Sequence, residues 1–245
     1  MLADFLDRGL FPDMVLRWGV RSRCRELLSA ARKKSCEKHQ EDFEALLAIL
    51  EESPVAVETA SANEQHYELP AAFFENVLGP RLKYSSCYWE ERDDLATAEE
   101  RMLQLTCARA ELADGQRILE LGCGWGSLTL FMAENYPSAQ ITAVSNSRSQ
   151  REFILKRARE KGLSNVDVLT ADMNSFAPPA QYDRIVSVEM FEHLRNYRVF
   201  FRRLHTALAS GGKIFIHIFA HQSEPFLYDH EVEDNWMARY FFTGG

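Results

Sequence analysis

The sequence predicts an α/β protein built on a doubly wound parallel sheet, preceded by a helical region. Two observations lead to this prediction. From Arg117 onward, short runs rich in β-branched residues alternate with longer amphipathic segments. The first run leads into a glycine-rich loop, which is typical of a strand–loop–helix unit that binds a ligand. With 245 residues, 46% of them hydrophobic, the chain is long enough and apolar enough to bury the core of an α/β domain.

Two helices are predicted before the sheet. The segment MVLRWGVRSRCRELLSAARKK combines helix-forming residues with a dense basic face, and EDFEALLAILEES ends at Ser53 and Pro54. The polar segment TASANEQ indicates a linker, so we predict a helical region over residues 1–61 and a second domain over 62–245. The basic face is either a solvated helix surface or a site of weak association with an anionic membrane. A homodimer is a further option.

Five strands follow, with helices between them. The strand runs are RILEL, QITAV, VDVLT, DRIVSV and KIFIHIF, and the helical stretches include SRSQREFILKRAREKG and YRVFFRRLHTALASGG. We expect helices to end at Gly162 and at the pair Gly211 and Gly212, because glycine readily adopts the left-handed conformation that closes a helix. Strands that are separated by helices form a parallel sheet.

Charge and cysteine content exclude several classes of protein. A net charge of −8 and a pI near 5.5 argue against a general nucleic-acid binder, which needs a basic face. The five cysteines are scattered and form no C-x-x-C pair, which favours free thiols in the cytoplasm. His217 and His221 lie four residues apart, but no H-E-x-x-H or cysteine pattern accompanies them, so we predict no metal. No segment has the apolar length of a membrane span.

The glycine-rich loop LELGCGWGS follows the first strand. Its glycines are Gly122, Gly124 and Gly126, whereas a dinucleotide-binding loop would have glycine or alanine in place of Ser127. This G-x-G-x-G pattern, preceded by the acidic Glu120, resembles the loop of S-adenosylmethionine-dependent methyltransferases. Glycines allow the backbone to approach a ligand, and the following helix offers free N–H groups. The cofactor that the resemblance implies is S-adenosyl-L-methionine.

The ends of the second and third strands differ from those of dinucleotide enzymes. The second strand ends in AVSNS and lacks the acidic residue that usually binds ribose hydroxyls. Asp172 ends the third strand, where methyltransferases commonly place a group that contacts the adenine. The alternative interpretation of Asp172 is an ordinary helix N-cap.

Three titratable residues follow the fourth strand in the segment SVEMFEHLRNY. They are Glu189, Glu192 and His193, and they share one face if the turn is helical. Open α/β sheets bind ligands at this edge. Methyl transfer to an amine requires a proton acceptor, and a carboxylate–histidine cluster can supply one near neutral pH. The alternative is a capping acid beside a core histidine.

Together the motifs resemble the coclaurine N-methyltransferase-like enzymes, which are related to cyclopropane-fatty-acyl-phospholipid synthases. The resemblance covers the chain from His66 and includes HYELPAAFFENVLGPRLKYSSCYW, LELGCGWGSLTLFMAENYP, VSNSRSQREFI, SVEMFEHLRNY and DNWMARYFFTGG. It implies a Rossmann-like class I methyltransferase fold. By this resemblance, Tyr84 and Ser85 close over the cofactor, and the three loop glycines hold its methionine part. The residues implied on the ribose and adenine side are Ser145, Asn146 and Gln150.

The two branches of the family differ near the proposed catalytic cluster. Cyclopropane synthases typically have glycine where Glu189 stands, and they hold a bicarbonate with a cysteine, a glutamate and a histidine. The corresponding positions here are Glu192, His217 and, for the cysteine, Ser86, with the adjacent Cys87 as the alternative. The extra charge of Glu189 suits a cationic amine, so the sequence favours N-methylation of a small amine. The alternatives are a lipid-modifying enzyme and a catalytically inactive cofactor-binding scaffold.

The sequence ends at Gly245, just after RYFFTGG, where the family continues with its last strands. An antiparallel hairpin normally completes a methyltransferase sheet, and the resemblance places that hairpin beyond this point. We therefore expect a fragment or truncated isoform whose own activity is open.

Overall fold

The computed structural model describes residues 9, 11–57, 69–221 and 227. The chain divides into two compact units. One contains Met1–Ala48 together with Ala220–Phe226, and the other contains Ile49–Phe219 together with Leu227–Gly245. The predicted linker and the boundary after residue 61 fall among residues outside the described ranges, so the domain bounds stay a prediction.

The N-terminal region contains two helices, α1 (Asp13–Lys33) and α2 (Cys36–Glu52). Pro12 stands at the N-cap of α1, where its missing N–H costs no helical hydrogen bond. Before α2, the Ser35 hydroxyl accepts a hydrogen bond from the Lys38 backbone N–H at 3.2 Å and caps the helix. Neither helix buries a residue. In the part of the chain that the structure describes, no helix combines the length and apolarity needed to cross a membrane.

The second unit contains five parallel strands in the order β3-β2-β1-β4-β5, with helices between them. Two helices, α3 (Ala71–Val77) and α4 (Leu95–Arg109), precede the sheet. The strands are β1 (Arg117–Leu121), β2 (Gln140–Ser145), β3 (Val166–Thr170), β4 (Tyr182–Val188) and β5 (Leu208–His217). The connecting helices are α5 (Ser127–Asn135), α6 (Arg148–Glu160) and α7 (Tyr197–Thr206). The predicted fold class is confirmed.

Burial on both faces of the sheet explains why its central strands are nearly continuous apolar runs. In β1, Leu119 is fully buried in the same apolar cluster as Phe200 of α7. Its neighbour Ile118 is also fully buried and belongs to the cluster that contains Phe131 of α5. Successive strand residues point to opposite faces, so β1 packs against helices on both sides. Helices cover both faces of the sheet. We therefore expect a ligand to bind at the carboxyl ends of the strands, as in other open parallel sheets.

The prediction that Gly211 and Gly212 end a helix is wrong, whereas Gly162 (φ +69°) does follow the end of α6. Helix α7 ends at Thr206, and the two glycines lie inside β5. Pairing of β5 with β4 shifts register between Tyr182 and Arg184. Gly211 has a φ of +73°, and a Cβ on Gly212 would lie 3.0 Å from the Tyr182 carbonyl oxygen. Gly211 therefore supplies the positive φ and Gly212 the space next to the backbone that this irregular strand pairing needs.

Candidate active site

A cavity opens at the carboxyl edge of the sheet, beside the ends of β1, β2 and β4. Most of its lining comes from four segments: the stretch before α4, the glycine loop, the end of β2 and the turn after β4. The other lining residues include Ala56, Val57, Leu103, Thr106, Ala171, Met173 and Phe219. This is where the sequence places its candidate residues, because ligands of open parallel sheets bind outside the strand ends.

The glycine loop turns sharply after β1. The N–H groups of Gly122 and Cys123 both donate to the Val144 carbonyl at 3.0 Å, which ties the loop to β2. All three loop glycines have positive φ. A Cβ on Gly122 would lie 2.6 Å from the Met190 side chain and one on Gly126 would lie 2.7 Å from Ile154, whereas a Cβ on Gly124 would meet no atom within 4 Å. Packing therefore requires two of the glycines, and Gly124 faces open space where a ligand can approach.

A hydrogen-bond chain at the end of β2 orients Gln150 toward the cavity. The Ser145 hydroxyl accepts the Ser147 backbone N–H at 2.9 Å and donates to the Gln150 amide oxygen at 2.6 Å. Ser147 also caps α6, since its hydroxyl accepts the backbone N–H of Gln150 at 3.2 Å. The Gln150 amide nitrogen is buried and has no partner. It is therefore a donor available to a ligand in the cavity.

Glu120 contributes a buried carboxyl to the cavity wall. Its side chain accepts a hydrogen bond from the Thr129 hydroxyl at 2.6 Å, and burial raises its pKa to about 7. Desolvation disfavours the charged form of a carboxyl, whereas a nearby cation favours it. A cationic ligand in the cavity would therefore pull Glu120 toward its ionised state.

The cavity fits S-adenosyl-L-methionine. Three buried polar atoms of lining residues lack a partner: the Trp125 indole nitrogen, the Ser127 hydroxyl and the Gln150 amide nitrogen. Ser127 begins α5, so free helical N–H groups also point to this place. Unpaired buried polar groups are costly, and a ligand with ribose hydroxyls, an adenine and an amino-acid end can pair them. The open space at Gly124 also allows the cofactor to approach the backbone of the loop.

Glu189 places a carboxylate beside this cavity through an unusual backbone conformation. Its φ is +50°, which is rare for a residue other than glycine, and its N–H donates to the His217 carbonyl at 2.8 Å. Ser86 donates to Glu189 Oε1 from its backbone nitrogen at 3.1 Å and from its hydroxyl at 3.2 Å. Strained residues of this kind are often found at functional sites.

The turn after β4 is not one continuous α-helix, so the predicted shared helical face is wrong. A short 3₁₀ helix begins only at Phe191, two residues after the left-handed Glu189, and ends at His193. Glu189 and His193 both line the cavity, whereas Glu192 does not. The reason is geometric, because a 3₁₀ helix has three residues per turn and its successive side chains point about 120° apart.

Glu192 lies in the 3₁₀ turn after β4, and His217 lies at the end of β5. Glu192 Oε1 accepts the Phe219 backbone N–H at 2.9 Å, and its Oε2 atom is buried without a partner. Burial raises the pKa of Glu192, and the charge of Glu189 adds to this effect. His217 ends β5, where it pairs with Val188, and burial lowers its pKa. Neither residue is in the cavity lining.

Most of the predicted cofactor residues line the same cavity. They are Tyr84, Ser85, Glu120, Gly122, Gly124, Ser145, Asn146 and Gln150. The two exceptions are Gly126, which caps α5, and Asp172, whose carboxylate accepts the Asn174 backbone N–H at 2.8 Å. The role of each residue toward the cofactor stays a prediction. The motif DNWMARYFFTGG lies outside the described residues.

Several lining residues were not predicted from the sequence. Trp125 lies within the glycine loop and packs against Phe74, with ring centroids 4.7 Å apart. Lys83 is 6% exposed and precedes the predicted pair Tyr84 and Ser85. The position of Trp125 within the loop was the one available signal, whereas Lys83 looks like an ordinary surface lysine in the sequence.

Comparison with known proteins finds relatives in the family that the sequence motifs resemble. The family model described as mycolic acid cyclopropane synthetase matches residues 56–245. An (S)-coclaurine N-methyltransferase of Thalictrum flavum subsp. glaucum is 37% identical over 245 residues, which is 100% of this chain and 68% of the relative. A crystal structure of coclaurine N-methyltransferase bound to N-methylheliamine and SAH superposes with a TM-score of 0.93 at 34% identity, covering 100% of this chain and 71% of that one.

A second branch of relatives is also present. The cyclopropane-fatty-acyl-phospholipid synthase of Escherichia coli (strain K12) is 34% identical over 184 residues, which is 74% of this chain and 45% of the relative. The resemblance predicted from the motifs is confirmed. The chain belongs to the mycolic acid cyclopropane synthetase family and is an S-adenosylmethionine-dependent methyltransferase.

Proposed function

We propose that the chain methylates the nitrogen of a small amine and that the amine binds beside Glu189 at the end of β4. The observation that carries this proposal is the position of the Glu189 carboxylate, which the left-handed backbone and Ser86 hold at the cavity wall. A carboxylate in a partly dehydrated site attracts a cationic amine more strongly than it would in water. The names of the N-methyltransferase relatives support the same class of acceptor.

The residues of this chain would bind the amine and remove its proton. S-adenosyl-L-methionine supplies an electrophilic methyl group when it is bound. An amine attacks only with a free lone pair, so its ammonium proton must first leave. His193 lines the cavity and is our proton acceptor, and Glu189 holds the amine in place. Glu192 precedes His193 in the same turn, and its carboxyl is a second group that could accept the proton.

The runner-up is a cyclopropane synthase type of reaction on lipid. The family model and the Escherichia coli relative favour this alternative. By the resemblance, a bicarbonate in that branch is held by residues at the positions of Ser86, Glu192 and His217. Here the backbone N–H and the hydroxyl of Ser86 both donate to Glu189. A side-chain carboxylate therefore engages one of the three positions that the resemblance assigns to bicarbonate, which supports the amine.

A substrate screen distinguishes the two reactions. The chain is incubated with cofactor labelled on its methyl group, first with a panel of primary, secondary and tertiary amines, then with vesicles of unsaturated phospholipid. We expect label in the amine products. Cyclopropane product from vesicles without any methylated amine would overturn the proposal in favour of lipid. If the chain binds S-adenosylhomocysteine but forms no product, the result would support the alternative of a catalytically inactive cofactor-binding scaffold.

We also propose that α1 associates weakly with anionic membranes. The helix buries no residue, and Trp18 is 68% exposed and Met14 78% exposed. Arg17, Arg21 and Arg25 follow at a spacing of four, which places them along one side of the helix. Co-sedimentation with vesicles containing phosphatidylserine tests this, with neutral vesicles as the control. Sedimentation equilibrium without lipid tests whether two copies of the chain form a homodimer.

The cytoplasm is our proposed location. All five cysteines are free, and two of them, Cys24 and Cys36, are exposed. Exposed thiols are kept reduced in that compartment. Labelling of these thiols in intact cells with a membrane-permeant maleimide tests the proposal, and finding them already oxidised would contradict it.

A further inference from the structure

The segment before α4 is fixed to a fully buried carboxylate. Glu99 of α4 is 0% exposed, and its two oxygens accept the backbone N–H groups of Arg81 at 2.9 Å and Lys83 at 3.0 Å. A Cβ on Gly79 would lie 2.5 Å from the Glu99 carboxylate, so only glycine fits there. These contacts hold the backbone at Lys83 rigidly against α4.

This anchoring places the Lys83 side chain in the wall of the cofactor cavity. Among the described residues that line the cavity, Lys83 is the one lysine or arginine. Its ammonium donates a hydrogen bond to the Ser85 hydroxyl. No carboxylate in the described ranges forms an ion pair with it. A buried ammonium has three donors, so two of them are available to a ligand.

Burying a charge without an ionic partner is costly, which suggests that a partner arrives with the ligand. Burial lowers the pKa of the Lys83 ammonium, and the neighbouring Cys87, Glu189 and Glu99 act in the opposite direction. The cofactor carries one group of negative charge, the carboxylate of its methionine part. By the resemblance, the glycine loop would supply backbone groups to that part of the cofactor, but it has no positive side chain.

We propose that the ammonium of Lys83 binds the carboxylate of the methionine part of the cofactor, together with the hydroxyl of Ser85. Charge-assisted hydrogen bonds of this kind are short and strong in a site that excludes water. The contact would also fix the orientation of the amino-acid end, because Lys83 approaches from the segment before α4 whereas Gly124 approaches from the loop after β1.

Two ligands separate this contact from general damage to the cavity. S-adenosylhomocysteine has the carboxylate, and 5′-methylthioadenosine keeps the nucleoside and sulfur but lacks the amino-acid end. Calorimetry measures the affinity of both for the full chain and for Lys83→Met, which keeps the length and apolar stem of the side chain. Lys156→Met is the matched control, because Lys156 lies on the exposed side of α6 with its side chain 72% exposed.

We expect Lys83→Met to weaken binding of S-adenosylhomocysteine by roughly 10- to 100-fold, the scale of one hydrogen bond to a charged group, and to leave 5′-methylthioadenosine unchanged. Lys156→Met should change neither affinity. Equal losses for both ligands, or no loss for either, would overturn the proposal. A thermal unfolding curve identifies a folding defect in Lys83→Met. In that case Lys83→Gln, which keeps a donor without the charge, replaces it and must show the same selective loss.

Discussion

Ser86 and Glu189 are 103 residues apart in sequence, and Ser86 donates two hydrogen bonds to one oxygen of the Glu189 carboxylate. The contact joins the segment before α4 to the turn after β4 and holds a charged group at the cavity wall. Glu189 has a left-handed backbone, so its own conformation is unfavourable. The two hydrogen bonds compensate for part of that strain and restrict the carboxylate to one orientation.

Removing the Glu189 charge should weaken binding of a cationic amine. In Glu189→Gln we expect the KM for the amine to rise roughly 10-fold or more, with a smaller change in kcat, because the group attracts the substrate in its ground state. Ser86→Ala keeps the charge and the backbone donor, so it should have a smaller effect. Steady-state kinetics with labelled cofactor measure both variants. An unchanged KM in Glu189→Gln would contradict the assigned role.

Gly124→Val should abolish binding of S-adenosylhomocysteine. A branched side chain would occupy the open space at the loop and strain a backbone with φ of +50°. Gly115→Val is a matched control, because Gly115 also has positive φ (+82°) and open space around it but does not line the cavity. Both variants should lose about 1–3 kcal/mol of stability from strain.

Calorimetry and thermal unfolding compare the two glycine variants directly. Lost binding in Gly124→Val with retained binding in Gly115→Val is the expected result. If Gly124→Val bound the ligand with full affinity, the loop would not be the cofactor site.

Loss of the proton acceptors should slow turnover without changing cofactor affinity. In Glu192→Gln and His193→Ala we expect kcat to fall roughly 10²-fold, the usual scale for loss of a general base. Cofactor binding depends on other residues, so the affinity for S-adenosylhomocysteine should be unchanged. Full turnover in both variants would mean that the two residues are structural.

The pH dependence of kcat gives a second check on the same residues. Burial raises the pKa of Glu192, so its carboxyl loses its proton at a higher pH than an ordinary glutamate does. The rate of the parent chain should rise with pH toward neutrality, as the acceptor groups lose their protons. The rise should flatten in the two variants. A profile that is identical in parent and variants would exclude these groups as the source.

Glu120 should make the fold less stable as the pH rises. Its pKa is about 7 in the folded chain against an ordinary value of 4.5, so the folded state holds the proton more tightly. This stabilisation is complete below pH 4.5 and is lost as the pH rises to about 7, and it corresponds to about 3 kcal/mol. Glu120→Gln should remove this dependence and be more stable than the parent above pH 7.

Urea unfolding between pH 5 and 8, without cofactor, measures this difference. Glu160→Gln at the exposed end of α6 serves as the control, and it should follow the parent curve. If the stability difference between Glu120→Gln and the parent were the same at every pH, Glu120 would not titrate in this range.

The amino-acid sequence alone was enough to predict the α/β class, the parallel sheet, the glycine loop and the cofactor. The class, the sheet and the loop depend on local patterns, since a buried parallel strand is apolar along its length and a tight loop favours glycine where φ is positive. The cofactor follows from the resemblance of that loop to the loop of a known family. The resemblance to a known family implied Ser145, Asn146 and Gln150, and these residues line the same cavity as the loop because strand ends of one parallel sheet meet at one edge.

The tertiary structure alone decided which of the candidate side chains reach the cavity. A left-handed residue followed by a 3₁₀ turn separates Glu189 and His193 from Glu192, and a local pattern of charges does not specify that geometry. Lys83 is buried in a segment whose backbone is bound by Glu99, sixteen residues later. Exposure and electrostatic environment depend on neighbours that are distant in sequence, so these assignments required the packed fold.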